Sequence, residues 1–253
     1  MHRPKVIAFD LDGTLAESKQ RMASEMGDLL GTLMQDTPVA VLSGAGFFQF
    51  QKQFLPAIPM EAKLENLYIF PVNAAQCYIY RDGAWKPQYD HSFTPTEKEK
   101  ILTELNAALA EVGLTEEPTE IWGERIEDRE AQISFSPLGQ QAPVEAKGRW
   151  AKEYGDKRRT LYSILIKTLP DFAVAMGGMT TIDITRKGIT KAYGVVRLSE
   201  LTKVPITEML YVGDALDEGG NDSVVLETGI PTHAVFGPHE TEAFIETLTN
   251  KIH

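Results

Sequence analysis

Phe9-Asp10-Leu11-Asp12-Gly13-Thr14-Leu15 follows the apolar, β-branched run Lys5-Val6-Ile7-Ala8-Phe9, so a short buried strand ends by delivering two carboxylates one residue apart. In open α/β sheets, ligands sit at the carboxyl ends of strands. A spacing of two puts both side chains on one face of a strand, and a turn at Gly13 can redirect the second. Two acids this close suit a division of labour, one attacking phosphorus and the other giving and taking a proton. Their mutual repulsion calls for a cation, and oxygen donors suit a hard divalent ion such as magnesium. An acidic turn around Asp12-Gly13 would also account for the residues, so the rest of the chain must decide.

Outward from this stretch the pattern alternates. Met22, Met26, Leu29, Leu30 and Leu33 recur at helical spacing before Val39-Ala-Val-Leu42, and Phe47, Phe50 and Phe54 precede Leu67-Tyr-Ile-Phe70. Strand-helix alternation predicts an α/β fold with a Rossmann-like parallel-sheet core. After Pro71 the rhythm changes. Gln76 to Lys86 reads as a hairpin around Asp82-Gly83, Thr94-Pro95 opens a capped helix running towards Val112, and Ala131 to Phe135 alternates as a strand. A helical region from Val144 to Leu169 and a second hairpin, Phe172–Ala175 with Thr180–Ile184, complete an inserted α+β cap. The alternation then returns with a helix over Ile189–Leu201, strands at Met209–Val212 and Thr232–Val235, and a helix over His239–Leu248. The expected domains are a discontinuous core over 1–82 and 187–253 and a cap over 83–186.

Composition narrows the function classes. The 253 residues carry 25 Lys+Arg against 36 Asp+Glu, a net charge of −11 that opposes a phosphate backbone or an anionic membrane. Nucleic acid and membrane are therefore not expected as partners. The single cysteine, Cys77, excludes an intrachain disulfide or a multi-thiolate zinc site and points to a reducing compartment. With no signal-like or membrane-length apolar run, a cytoplasmic location is expected. His2, His91, His233, His239 and His253 show no paired zinc-ligand spacing.

The chain resembles the haloacid dehalogenase superfamily of phosphotransferases in four motifs that occur in the required order. Asp-Leu-Asp-Gly-Thr-Leu matches the first, and the resemblance implies that Asp10 is the nucleophile and Asp12 the acid and base. Ser43, followed by Gly44 at the end of Val39–Leu42, matches the second as a donor to a phosphoryl oxygen, with backbone N–H groups beside it. For the charge-neutralising lysine of the third motif, Lys187 and Lys191 are both candidates, and the resemblance favours Lys191. Gly213-Asp214 and Gly219-Gly220-Asn221-Asp222 match the fourth. They imply a magnesium cage of Asp10, Asp12, Asp214 and Asp222, with Gly213 and Asn221 in supporting roles.

Within that superfamily the chain is most similar to the α/β-capped class, and closest in pattern to the eukaryotic-type phosphomannomutases. Gly213 to Asp222 reproduces their Gly-Asp, four intervening residues, Gly-Gly-Asn-Asp. Phe70-Pro-Val-Asn73 resembles their Phe-Pro-Glu-Asn, Ser134-Phe-Ser-Pro-Leu-Gly139 their Asn-Val-Ser-Pro-Ile-Gly, and Gly177-Gly-Met-Thr-Thr181-Ile-Asp183 their Gly-Gly-x-x-Ser-x-Asp. The resemblance implies substrate contacts from Gly44, Asn73, Arg125, Arg129, Gln140, Thr181 and Asp183. It also allows a homodimer through the cap, where related mutases pair. One departure matters: Gln140 stands where those mutases carry a phosphate-gripping arginine, and an amide cannot replace a bidentate guanidinium. The expectation is accordingly a magnesium-dependent phosphatase of a small phosphorylated metabolite, a sugar phosphate, acting through an aspartyl-phosphate. A phosphomannomutase is the alternative, and a non-catalytic phosphosugar-binding protein the remote one. The basic stretch Lys147, Arg149, Lys152, Lys157, Arg158 and Arg159 reads either as a steering surface for an anion or as a solvated helix face.

Overall fold

The computed structural model describes residues 3–18 and 20–249; His2 and His253 lie outside the described residues. In chain order its elements are β1 (Val6–Asp10), α1 (Ser24–Leu33), β2 (Val39–Leu42), α2 (Phe47–Gln53), β3 (Leu67–Phe70), β4 (Gln76–Arg81), β5 (Ala84–Asp90), α3 (Pro95–Glu111), β6 (Ile126–Asp128), β7 (Gln132–Phe135), α4 (Val144–Thr168), β8 (Phe172–Gly177), β9 (Thr181–Arg186), α5 (Lys191–Thr202), β10 (Met209–Gly213), β11 (Thr232–Ala234) and α6 (Pro238–Thr249). They divide into two compact units. One holds the chain up to Asp90 and from Ile189 onward, and the other is His91–Gly188.

The first unit is built on a seven-stranded sheet in the order β11-β10-β1-β2-β3-β4-β5. The first five of these strands run parallel, and β4 and β5 add an antiparallel edge. Every residue of β1 and β2 is buried, as a strand covered on both faces requires. On one side lie Phe9, Leu11, Met26, Leu30, Leu33 and Phe50; the other carries Ala8, Leu42, Val195, Leu198 and Tyr211. Met26, Leu30 and Leu33 are the buried stripe of α1.

The division differs from the expected one at the first hairpin. Asp82 (φ 52°) and Gly83 (φ 77°) make the tight turn that the Asp-Gly pair predicts. However, β4 pairs with β3 through Tyr68↔Ile79 and Ile69↔Tyr78, so the hairpin extends the parallel sheet and does not open the cap. Residues 83–90 therefore belong to the first unit, and the cap starts at His91. Hydrophobic patterning identified the hairpin but could not show which sheet edge it joins.

The second unit is a four-stranded antiparallel sheet, β6-β7-β9-β8, with α3 and α4 packed on one face. Ile133, Phe135, Ile182 and Ile184 meet Ile101, Leu105, Leu161 and Leu165 in a core of its own. β6, a three-residue strand, was not evident from the sequence. α3 starts with Pro95 at its first position and a reciprocal capping box between Thr94 and Glu97. Among the described residues, no helix is long and apolar enough to cross a membrane.

Candidate active site

Three adjacent parallel strands end at the same edge of the first unit's sheet: β1 at Asp10, β2 just before Ser43, and β10 just before Asp214. Lys191, the first residue of α5, is fully buried and reaches this edge. Its ammonium donates to Asp10 Oδ1 at 2.5 Å and to Asp222 Oδ1 at 2.6 Å. The structure thus places Lys191 in the cluster. Lys187 lies in the other unit, beyond the end of β9. Burial works to lower the Lys191 pKa, but the two carboxylates outweigh it and the net direction is upward. For Asp10, burial dominates and lifts the carboxyl to about 7, against the pull of Lys191. At Asp214 burial also raises the pKa, with Asp222 adding to it.

Asp10, Asp214 and Asp222 each present an oxygen, all within 4.8 Å of one another. Asp10 Oδ2 is buried and has no hydrogen-bond partner among the described residues. A buried, orphaned carboxylate oxygen beside two further carboxylates fits a hard divalent cation. Asp222 is already engaged on both oxygens: Oδ1 accepts from Lys191 and the Tyr211 hydroxyl, and Oδ2 from the Ala215 N–H. Asp10 and Asp214 are therefore the carboxylates best placed to ligate. Asp12, expected in the same cage, is not one of these three; its Oδ1 accepts from Gln53 Nε2 at 3.1 Å.

The two glycines beside the cluster make its close approaches possible. Gly13 has φ +90°, and a Cβ there would meet Asp214 Oδ2 at 2.4 Å. At Gly213 a Cβ would sit 2.5 Å from Asp222 Oδ2. Asp222 returns to the site because its N–H bonds to Ala215 O, folding the 215–222 loop back on itself. It precedes a short 3-10 turn, Ser223–Thr228, rather than a regular helix, and Asn221 is exposed.

Ser43 is buried, and its Oγ accepts from the Ala45 N–H at 3.1 Å. Beside it, Pro71–Ala74 forms a left-handed turn in which Val72 (φ 50°, ψ 51°), Asn73 (φ 54°, ψ 40°) and Ala74 (φ 69°) all have positive φ. Such residues cost about 1–2 kcal/mol each, so the surroundings must hold them. Val72 N–H donates to Ala45 O and Asn73 N–H to Ser43 O, tying this turn to the Ser43–Ala45 loop. Asn73 thereby sets its amide next to Gly44, where a Cβ would lie 3.5 Å from Nδ2.

The expected substrate-binding residues of the second unit form a separate group. Asp183 Oδ1 accepts from Ser134 Oγ at 2.6 Å and Gln132 Nε2 at 3.1 Å, and burial raises its pKa. Gln140 Nε2 makes a long contact with Ser134 O at 3.4 Å. Arg129 pairs with Glu127 at 2.6 Å. Arg125 departs from the expectation of a phosphate contact: its guanidinium is committed to Leu114 O and Thr115 O and packs over Phe135. Thr181 O accepts from Arg158, which also binds the carbonyls of Gly177, Gly178 and Met179. The basic stretch is accordingly dispersed, with Lys157 on Gly113 O and Arg159 on Asp156.

Gln53 and Tyr211 were missed from the sequence. Gln53 carries no motif signal. Tyr211 had one, since a tyrosine within the buried run Met209–Val212 must find a partner for its hydroxyl.

The family model of the eukaryotic phosphomannomutases matches residues 26–251. A phosphomannomutase of Spinacia oleracea is 26% identical over 249 residues, covering 94% of each chain. Among solved structures, an N-terminally truncated, IMP-bound IMP-nucleotidase of Plasmodium falciparum superposes with TM-score 0.65 at 15% identity, over 98% of this chain and 68% of that one. A trehalose-6-phosphate phosphatase of Aspergillus fumigatus gives 0.59 at 16% identity, over 98% and 93%. The two solved structures share the fold.

Proposed function

Because the chain belongs to the eukaryotic phosphomannomutase family, and so is an enzyme of the haloacid dehalogenase phosphotransferase type, we propose that it moves a phosphoryl group between positions of a hexose phosphate by way of phosphorylated Asp10. The observation that carries this reading is the asymmetry of the Asp10 carboxylate, with Oδ1 held by Lys191 and Oδ2 buried and unpartnered. Oδ2 is left to a cation, and Oδ1, beside the ammonium that would face the transferring charge, is the oxygen that attacks phosphorus.

A magnesium ion on Asp10 and Asp214, when bound, would offset the negative charge of the phosphoryl oxygens. Lys191 stays beside Asp10 and faces the charge that builds on the equatorial oxygens. Ser43 and the neighbouring backbone N–H groups donate to the same oxygens. With a hexose bisphosphate bound, the bond from Asp10 Oδ1 to phosphorus forms as the bond from phosphorus to one sugar oxygen breaks, and Asp12 gives that oxygen its proton. A free hydroxyl of a hexose monophosphate then gives its proton to Asp12, its oxygen attacks phosphorus, and Asp10 is freed as a new bisphosphate forms, whose other phosphoryl group returns to Asp10 in the next transfer. Gln53 orients Asp12 for both transfers. This reading assigns substrate recognition to Arg129, Gln140, Thr181 and Asp183 of the His91–Gly188 unit, with Gly44 and Asn73 beside Ser43 as further substrate contacts.

A sugar-phosphate phosphatase is the second reading, favoured by Gln140 and by the committed guanidinium of Arg125, which leave less positive charge for a second phosphate. The test is mannose 1-phosphate with magnesium, with and without a hexose bisphosphate activator. Activator-dependent isomerisation without release of inorganic phosphate is expected. Stoichiometric phosphate release with no isomer formed would reverse the order of the two readings.

A further inference from the structure

Tyr211 lies in the middle of β10 with its side chain fully buried, and its hydroxyl donates to Asp222 Oδ1 at 2.6 Å. The same oxygen accepts from Lys191 Nζ at 2.6 Å, and Lys191 in turn donates to Asp10 Oδ1. The four groups form one buried chain of hydrogen bonds, phenol to carboxylate, carboxylate to ammonium, ammonium to the nucleophile. We propose that Tyr211 is a positioning residue for phosphoryl transfer, acting through Asp222 to set how Lys191 is shared between Asp222 and Asp10.

The physical basis is competition for a single oxygen. A phenol that donates to Asp222 Oδ1 draws on its electron density and fixes the rotation of the carboxylate, whose Oδ2 is held by the Ala215 N–H. Lys191 then bonds less strongly to Asp222 and is left nearer to Asp10. With the phenol removed, the full charge of Asp222 Oδ1 falls on Lys191, and the ammonium is drawn away from the nucleophile. A tyrosine that merely fills the core beside Val6, Ala8 and Leu42 would need its hydroxyl satisfied but would not affect this balance.

The inference rests on the phosphotransfer reading of Asp10, so its test includes a probe that needs no turnover. Tyr211→Phe removes one oxygen and keeps the ring. We expect kcat for mannose 1-phosphate to fall about tenfold with KM within twofold, and magnesium-beryllofluoride, a phosphoryl mimic measured by calorimetry, to bind about tenfold more weakly. Unchanged kcat and unchanged beryllofluoride affinity would overturn the proposal. If wild type binds beryllofluoride but turns over no hexose phosphate, the proposed activity fails while the positioning role is still decided by the binding arm. Asp222→Asn and the double variant Asp222→Asn with Tyr211→Phe supply a second comparison. Because Tyr211 acts through Asp222, these two should bind beryllofluoride equally within twofold, and a further tenfold loss in the double variant would overturn the proposal.

Discussion

A carboxylate with one oxygen tied to an ammonium and the other buried without a donor is an unstable arrangement unless something is meant to occupy the second oxygen. Asp10→Asn removes the proposed nucleophile while preserving size, so phosphoryl transfer should fall by about a thousandfold or more, with no phosphoprotein trapped after acid quench of a labelled substrate. Gly13→Ala acts differently. It forces a side chain onto φ +90° and into Asp214 Oδ2, so the rise in melting temperature on adding magnesium to wild type should be largely absent in the variant. The placement of both residues was legible in the sequence, because an apolar β-branched run ending in an acid and then a glycine marks a buried strand and the turn after it. Asn73 was legible only through resemblance. Three successive non-glycine residues in the left-handed region, Val72 to Ala74, have no local propensity behind them and persist because the Ser43–Ala45 backbone holds them.

The start of α3 couples two elements of the inserted unit. Glu97 closes the capping box with Thr94 and pairs with Arg186 at the end of β9, and the Arg186 hydrogen bond is the main reason its carboxyl drops to about 2. A depressed carboxyl stabilises the fold above its unfolded pKa, ordinarily near 4.5, and that contribution is lost as pH falls through about 2. Thermal melts should therefore show the wild-type cap weakening between these pH values, and Glu97→Gln, already weaker at neutral pH, should show a flatter profile across that window. Arg158 is the other tie, one guanidinium on four carbonyls of the β8–β9 connection. Arg158→Ala should cost about 1–3 kcal/mol in urea unfolding, and Arg158→Lys should recover little, since an ammonium cannot span the four acceptors. From the sequence, α3, α4 and both hairpins were recognisable by periodicity and turn residues. The use of Arg158 inside the fold was not, because a run of charges on a helix has the same pattern whether it faces water or grips a neighbouring loop. The attachment of β4 and β5 to the parallel sheet was equally hidden, being decided by a long-range edge pairing.

At the scale of the whole chain, each unit has its own apolar core, and the three tryptophans report on both: Trp85 on β5 in the first, Trp122 and Trp150 in the second. Leu161→Ala, deep in the second core, should cost about 2–5 kcal/mol there. Fluorine NMR of fluorotryptophan-labelled protein in rising urea should show the Trp122 and Trp150 signals lost earlier than in wild type, with the Trp85 transition unmoved. The order of strands also bears on how the molecule is made. β1 is flanked by β2, which follows it closely, and by β10, which lies about 200 residues later. At a synthesis rate of about 5–20 residues per second, one apolar edge of β1 waits on the order of 10–40 seconds for its neighbour, open to wrong pairing. For most of that interval Asp10 also lacks Lys191, Asp214 and Asp222, so the buried cluster around it cannot form until the last of those residues has emerged from the ribosome.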